Sequence, residues 1–350
     1  MLFSDITVYA FTNARLRAML SRLIQPQQFS QLCQVKNKRE LAEALKGTAY
    51  APALAGVSGP DFDPDVLAAA LRGQAIKDSL AAVNVFGEGP SRRFACVYFQ
   101  QYELESVKTA LRLWHAKGFV KAAFYLDDKT AFCSPLDLNK LLAAGTIEEI
   151  IVLLNHTPYR GPLERARDKF KATGSSFYLE AALDKDYYQR LQLSAQALSS
   201  GDQAAVKQLL GVQIDMENIG SLIRFRKYYD LEMSAMMELL IPGGNQIKKD
   251  TVRDFYATDG LAKIVDMVAK ARYQHIRELV TGRPELVEDF LYQVLMAQVK
   301  RILAGFPFTI GLAAAYLALK YRELRDLTAI LYAKQYGWDA DKTRPMLMGL

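Results

Sequence analysis

The sequence predicts an all-α protein built from three similar helical units. One observation is an apolar stripe, spaced by three and then four residues, that begins at Leu104, Met216 and Leu324. This spacing places side chains on one face of an α-helix. The stripes begin 112 and 108 residues apart, an interval that suits one small domain. Strand-like alternation is nearly absent from the chain, which favours the all-α class.

A tyrosine marker repeats at almost the same interval. An apolar helical run ends at Tyr50, at Tyr159 and again at Tyr273, giving intervals of 109 and 114 residues. Two markers that stay in phase predict an internal repeat, and an internal repeat decides how the rest of the chain is interpreted. The three predicted units are residues 1–125, 126–238 and 239–350.

Composition indicates a globular protein rather than a disordered one. The 350 residues are 51% hydrophobic and 23% charged, and the net charge of +6 is spread along the chain. This charge indicates a mild preference for acidic partners, an anionic membrane surface or nucleic acid. Cys33, Cys96 and Cys133 are odd in number and lack a CxxC spacing, so we expect reduced thiols in a cytosolic compartment. The first residues lack the apolar core of a signal peptide, so no export is predicted.

The first unit is predicted to be helical with one long loop. Residues 6–24 form a basic amphipathic helix that Gln25-Pro26 ends, because the residue before a proline is pushed out of the helical region. A short helix over 39–46 precedes a Gly- and Pro-rich loop at 47–64. Helices over 65–83 and 94–117 complete the unit.

The second and third units continue the helical pattern. Residues 119–132 are the most strand-like piece, but their alternation is poor and we interpret them as a connector. Ser134 to Asp137 opens a helix, and the LIPGG sequence at 240–244 stops one. The further predicted helices cover 163–171, 178–198, 203–210, 214–229, 247–255, 260–273, 284–303 and 308–332.

One apolar stretch raises the question of a membrane span. Residues 302–319 contain no charged side chain, and 18 residues is about the lower limit for a spanning helix. Gly305 and Pro307 break the stretch, and proline fits best in the first turn of a helix. We therefore predict a buried core helix that begins near Phe308.

No catalytic, cofactor-binding or metal-binding residue is predicted. A phosphate-binding loop needs a GxxxxGK[ST] sequence, whereas Gly243-Gly244 is followed by Asn-Gln. His115, His156 and His275 show no metal-binding spacing. A nucleophilic pair of Cys133 and His156 stays open as an alternative, since such partners meet only in space.

Carboxylates and basic residues each have a functional and a structural interpretation. Glu105, Glu217 and Glu323 lie next to the first stripe residue, and we expect solvated or interhelical pairing groups. The run from Arg224 to Tyr229 interleaves bases and aromatics, as single-strand nucleic-acid binders do. Its aromatics fall on the predicted buried face, which favours packing with basic groups that reach solvent. The basic face of Arg15, Arg17 and Arg22 has the same two interpretations.

Four segments resemble one protein family. They are YAFTNARLRAMLSRLI near the N-terminus, DMENIGSLIRFRKY at 215–228, LIPGG at 240–244 and GFPFTIGLAAAYLALKYRELRDL at 305–327. In order and spacing they look like the family of V-type and A-type ATPase C subunits, whose eukaryotic members are called d subunits. Gly220 and Tyr321 depart from the family pattern, so contacts inferred from those two positions do not carry over.

The resemblance implies three similar helical domains around a pseudo-threefold axis, forming a funnel. It implies a non-catalytic rotor subunit that receives the central-stalk subunits and sits on the membrane proteolipid ring at the cytoplasmic face, without cofactor or nucleic acid. The coupling ion, H⁺ or Na⁺, and the direction of the ATP reaction stay open.

Overall fold

The computed structural model describes residues 2–57, 62–116, 133–224, 232–256 and 287–347. Within these ranges the chain forms helices and connecting turns, with no strand, which confirms the all-α class. The first helices are α1 (Leu2–Leu20), α2 (Pro26–Gln34), α3 (Lys38–Leu45), α4 (Pro64–Val83), α5 (Pro90–Phe99), α6 (Gln101–His115), α7 (Leu138–Ala143) and α8 (Ile147–Leu153). The others are α9 (Arg160–Thr173), α10 (Phe177–Gln196), α11 (Ser200–Arg224), α12 (Met233–Leu239), α13 (Lys249–Tyr256), α14 (Val287–Ala304), α15 (Gly311–Gln335) and α16 (Ala340–Thr343).

The described helices divide into two compact bodies. One contains residues 1–183 and 312–350, and its largest buried side chains include Tyr50, Tyr98 and Tyr159. The other contains residues 184–311 and buries side chains such as Leu209 and Val299. The division into units 1–125, 126–238 and 239–350 stays a prediction.

The apolar stripes are buried as predicted where they begin at Leu104 and Leu324. In the stripe that begins at Met216, Ile219 is buried but Met216 itself is only half-buried. Tyr50 and Tyr159 are buried as well. The third tyrosine marker, Tyr273, lies outside the described residues, together with the predicted connector at 119–132 and the predicted helix at 260–273.

Several predicted boundaries are wrong for identifiable reasons. The segment 94–117 was predicted to be one helix but contains two. Helix α5 begins with Pro90 in its first turn and ends at Phe99, and α6 begins at Gln101. The Gln100 amide bonds both the Cys96 and the Val97 carbonyl oxygens, which ends the regular α-helical pattern there. Residues 51–56 of the predicted loop form a short 3₁₀ helix.

Helix α11 joins two helices that were predicted to be separate. Residues 200–224 run without a break, and Gly211 lies inside the helix. The Gly211 carbonyl oxygen accepts the Asn245 amide, and a side chain at Gly211 would meet the Asn245 side chain. Glycine is therefore favoured at position 211 because Asn245 packs close to the helix backbone, and not because the chain turns there. The predicted end of this helix near Tyr229 lies outside the described ranges.

Prolines mark helix starts more sharply than they mark helix ends. Helix α1 ends at Leu20, ahead of the predicted stop, and Pro26 begins α2 in its first turn. Helix α15 begins at Gly311 rather than near Phe308, and residues 312–317 are buried as predicted. In the described part of the chain, no helix is long and apolar enough to span a membrane.

Candidate functional site

Three buried carboxylates, one on each of the helices α6, α11 and α15, accept hydrogen bonds from segments elsewhere in the chain. They are Glu103, Asp215 and Glu323, and each directly precedes the first residue of an apolar stripe. A buried carboxylate is unfavourable unless hydrogen bonds or a cation compensate it. We call each of them, together with the groups that bind it, a carboxylate joint.

The Glu323 joint connects α15 to two segments near the N-terminus. Its Oε2 accepts the Ile24 amide at 2.6 Å, and its Oε1 accepts the Tyr50 hydroxyl at 2.9 Å. Lys320, one helical turn earlier, donates to Oε1 at 2.8 Å. One side chain of α15 thereby fixes the start of α2 and the turn after α3.

Lys320 is itself a buried cation held between two carboxylates. Its side chain is 1% exposed, and its Nζ lies 2.8 Å from both Asp78 Oδ2 and Glu323 Oε1. The same nitrogen lies 4.3 Å from the centre of the Tyr50 ring, a cation–π arrangement. Burial and the neighbouring Glu323 charge raise the pKa of Tyr50 well above its usual range, so its hydroxyl stays a donor.

The Glu103 joint also combines backbone amides with a tyrosine hydroxyl. Glu103 Oε1 accepts the amides of Cys133 and Ser134 at 2.5 and 3.2 Å. Its Oε2 accepts the Tyr159 hydroxyl at 2.9 Å. Burial raises the pKa of Glu103, while hydrogen bonds from Ser134, Tyr159 and the backbone oppose that rise.

The two tyrosine segments have the same local structure. The Thr48 hydroxyl donates to the Leu45 carbonyl and accepts the Tyr50 amide, at 2.7 and 3.2 Å. The Thr157 hydroxyl makes the corresponding bonds at 2.8 and 3.3 Å. In each segment, the hydrogen bonds of a threonine two residues before the tyrosine stabilise the turn, and this turn positions the tyrosine next to its carboxylate.

The Asp215 joint secures the turn after the LIPGG sequence. Asp215 Oδ2 accepts the Gln246 amide at 2.9 Å and Oδ1 accepts the Ile247 amide at 2.8 Å. Asn218, one turn later on α11, pairs with both the amide and the carbonyl of Ile241 at 2.9 and 2.8 Å. Burial raises the pKa of Asp215 to about 6, against the effect of these backbone donors.

The sequence reasoning missed two of the three carboxylates. Of the residues it selected, Glu323 is buried and belongs to a joint, so a solvated role is wrong for it, and the partners beyond its own helix lie in connecting segments. Glu105 pairs with Lys108 on its own helix at 3.1 Å. Glu217 is half-buried on α11. The useful signal was the residue before each apolar stripe, which is acidic in all three stripes.

A second spacing could also have identified the joints. Ile24 and Tyr50, like Cys133 and Tyr159, are 26 residues apart, and both members of each pair bind the same carboxylate. Ile247 and Tyr273 keep this spacing in the sequence, although Tyr273 lies outside the described residues. An amide donor and a hydroxyl donor at fixed separation therefore define the joint.

Among the described residues, the structure assembles none of the alternative catalytic or metal-binding sites that the sequence left open. Cys133 and His156 are both exposed, and the Cys133 amide donates to Glu103. Within the described ranges, no three His, Cys, Asp or Glu side chains group as metal ligands would. Arg15 lies over the exposed Phe11 ring on α1, 5.8 Å from its centre. The segment from Phe225 to Tyr229 lies outside the described residues.

Comparison with known proteins gives a match over almost the whole chain. The model of the ATP synthase (C/AC39) subunit family matches residues 12–346. The A-type ATP synthase C subunit of Pyrococcus abyssi is 25% identical, covering 97% of this chain and 90% of its own length. The protein of the same name from Thermococcus gammatolerans is 24% identical over the same shares. That of Methanocaldococcus jannaschii is 21% identical, over 99% and 88%.

Proposed function

Because this chain belongs to the ATP synthase (C/AC39) subunit family, we propose that it is a non-catalytic subunit of a V/A-type rotary ATPase or ATP synthase. The family match across residues 12–346 carries this proposal. The relatives, which are named as C subunits of A-type ATP synthases, align over nearly their full lengths. This supports a role for the whole chain rather than for one domain.

The proposed position is the central rotor. The three units, residues 1–125, 126–238 and 239–350, form a funnel with pseudo-threefold symmetry. Its socket receives the central-stalk subunits, and its other end rests on the proteolipid ring at the cytoplasmic face of the membrane. In this position the protein transmits torque between ATP hydrolysis or synthesis and the movement of H⁺ or Na⁺.

The carboxylate joints suit a part that must carry torque. Glu323 and Glu103 each bind two segments far away in the sequence through amide and hydroxyl donors. Hydrogen bonds to a charged group contribute about 1.5–3 kcal/mol each, and a buried environment strengthens them. Such joints resist the separation of helices from the loops they hold, which is what a coupling part requires.

The proposal is tested by purifying the tagged chain from its own cell membranes in mild detergent. We expect an ATP-hydrolysing complex that contains a proteolipid, identified by mass spectrometry of the co-purified proteins. The isolated chain should show no magnesium-dependent ATP hydrolysis that survives repeated purification. Recovery of the chain alone or with nucleic acid would contradict the proposal, as would hydrolysis by the isolated chain.

A further inference from the structure

A cleft of about 520 Å³ lies between three helices and the segment that follows the last long helix. Helix α4 contributes Arg72 to its wall, α6 contributes Glu105, and α15 contributes Arg325. Trp338 and Met346, which come after α15, also line it. All of these residues belong to the body of residues 1–183 and 312–350. A cleft of this volume with a largely apolar wall is typical of a binding site.

Two of the three charged groups in the cleft already have partners. Arg72 Nη2 donates to the Tyr102 carbonyl oxygen at 2.9 Å and to Ser106 Oγ at 2.6 Å. The Glu105 carboxylate pairs with Lys108 on its own helix at 3.1 Å. Arg72 is therefore fixed against α6, and the negative charge of Glu105 is already compensated.

Arg325 is the charged group of the cleft that is left for a ligand. Its side chain is exposed on α15 and, among the described residues, makes no hydrogen bond or ion pair. Together with Arg72 it gives the cleft two guanidinium groups, against the single and already paired carboxylate of Glu105. This excess of positive charge suits a carboxylate, which a guanidinium binds through two parallel hydrogen bonds.

Large apolar side chains surround the mouth of the cleft and are exposed. Tyr336, Trp338 and Met346 all line it, and they are 73%, 39% and 46% exposed. They extend the apolar surface beyond the cavity itself, so a molecule small enough to fit the cavity would leave part of them in water. Tryptophan, tyrosine and arginine are also the residue types that most often dominate the affinity of protein interfaces. These features favour a polypeptide over a small molecule as the occupant.

The segment that carries these side chains is fixed by hydrogen bonds. Gly337 ends α15 with a φ of 70°, and its amide donates to the Lys334 carbonyl oxygen at 3.2 Å. The Trp338 amide donates to the Ala333 carbonyl oxygen at 2.9 Å, and Lys334 Nζ donates to the Trp338 carbonyl oxygen at 2.9 Å. A surface that is ordered before binding loses less conformational entropy when a partner docks.

We propose that this cleft binds an acidic segment of another polypeptide in the rotary complex, an inference that rests on the proposed function because that function supplies the partner. A carboxylate of the segment pairs with Arg325, and an apolar side chain next to that carboxylate packs against Trp338 and Met346. The charge of the cleft selects the acidic residue, and its exposed rim selects the apolar neighbour.

The test introduces the photoreactive residue p-benzoylphenylalanine at position 336 and purifies the complex through a tag on this chain. Tyr336 is 73% exposed, so another aromatic side chain is accommodated there. Irradiation should cross-link the chain to one polypeptide of the complex, within a few residues of an Asp or Glu that peptide mapping identifies. Adding Arg325→Glu should lower the yield by about tenfold or more. The control Arg39→Glu reverses an exposed charge on α3 and should leave the yield unchanged.

A charge swap distinguishes a direct contact from a structural effect. The mapped acidic residue of the partner is changed to Arg, and in combination with Arg325→Glu this change should restore the cross-link. Circular dichroism establishes that each variant is folded.

Two kinds of negative result are distinguishable. An ATP-hydrolysing complex that gives no cross-link, a cross-link to lipid, or equal losses with Arg325→Glu and Arg39→Glu would overturn the proposed cleft and leave the proposed function intact. Failure to recover any such complex with the tagged wild-type chain would contradict the proposed function, and the inference with it.

Discussion

The Tyr50 hydroxyl donates a hydrogen bond of 2.9 Å to Glu323, a residue 273 positions later in the chain. Tyr159 makes the same bond to Glu103, but there the tyrosine follows its carboxylate by 56 positions. The order along the chain is thus reversed between the two joints. The last long helix, α15, supplies the carboxylate that binds Tyr50, and α6 supplies the carboxylate that binds Tyr159.

Removal of the Tyr50 hydroxyl should destabilise the protein. In Tyr50→Phe, Glu323 loses one of its donors in a buried site, and we expect the free energy of unfolding to fall by about 1.5–3 kcal/mol. Tyr159→Phe should have an effect of similar size at Glu103. Chemical unfolding measures both. Tyr336→Phe is the control, since Tyr336 is 73% exposed, and equal stability of all three variants would contradict the joints.

Loss of the buried cation Lys320 should cost more than loss of one hydroxyl. In Lys320→Met, Asp78 and Glu323 lose the cation that compensates their charges, and we expect a loss of about 3–5 kcal/mol. Adding Glu323→Gln should recover part of that loss, because one uncompensated charge disappears. The exposed Lys46, paired with Glu43, gives the control Lys46→Met, which should change stability by about 1 kcal/mol or less. Fully additive losses in the double variant would contradict a shared joint.

Asp215 should make stability depend on pH. Its pKa is raised from 3.8 to about 6 in the folded protein, so the folded state binds the proton more tightly than the unfolded chain does. The resulting stabilisation is present below pH 3.8 and is lost as the pH rises through about 6. Relative to Asp215→Asn, the wild type should lose roughly 3 kcal/mol over this window.

Unfolding measured at several pH values checks this dependence. Asp250→Asn, which changes an exposed carboxylate on α13, serves as the matched control and should leave the wild-type curve unchanged. A constant difference between wild type and Asp215→Asn across the window would show that Asp215 does not carry the effect.

Gly244→Ala should disturb the Asp215 joint from the loop side. An added Cβ would overlap Asp215 Oδ1 and lie 3.2 Å from the Ile247 carbonyl oxygen, so either the carboxylate or the turn must move. We expect a loss of about 1–3 kcal/mol. Gly73→Ala on α4, where an added Cβ meets nothing within 4 Å, should instead stabilise by about 0.5–1 kcal/mol. Similar effects of the two substitutions would contradict this explanation.

Periodicity predicted the helices and their buried faces well. The stripes that begin at Leu104 and Leu324, and the markers Tyr50 and Tyr159, are buried because apolar side chains at helical spacing must face a core. Helix limits were less predictable. Gln100 interrupts a run with good helical propensity, and Gly211 is tolerated inside α11 because Asn245 needs the space.

The carboxylate joints could not be deduced from composition. An acidic residue on an amphipathic helix usually faces water, and only the burial of Glu103 and Glu323 shows that these do not. Half of their hydrogen-bond donors are backbone amides, such as that of Ile24, which every residue type except proline supplies.

The coupling role is tested most directly by measuring ion uptake and ATP hydrolysis together in the same membrane vesicles. Vesicles depleted of this protein should lose ATP-driven ion uptake, and the wild-type chain added back should restore the ratio of ions moved to ATP hydrolysed. Undiminished ion uptake in vesicles that lack the protein would contradict the proposed function.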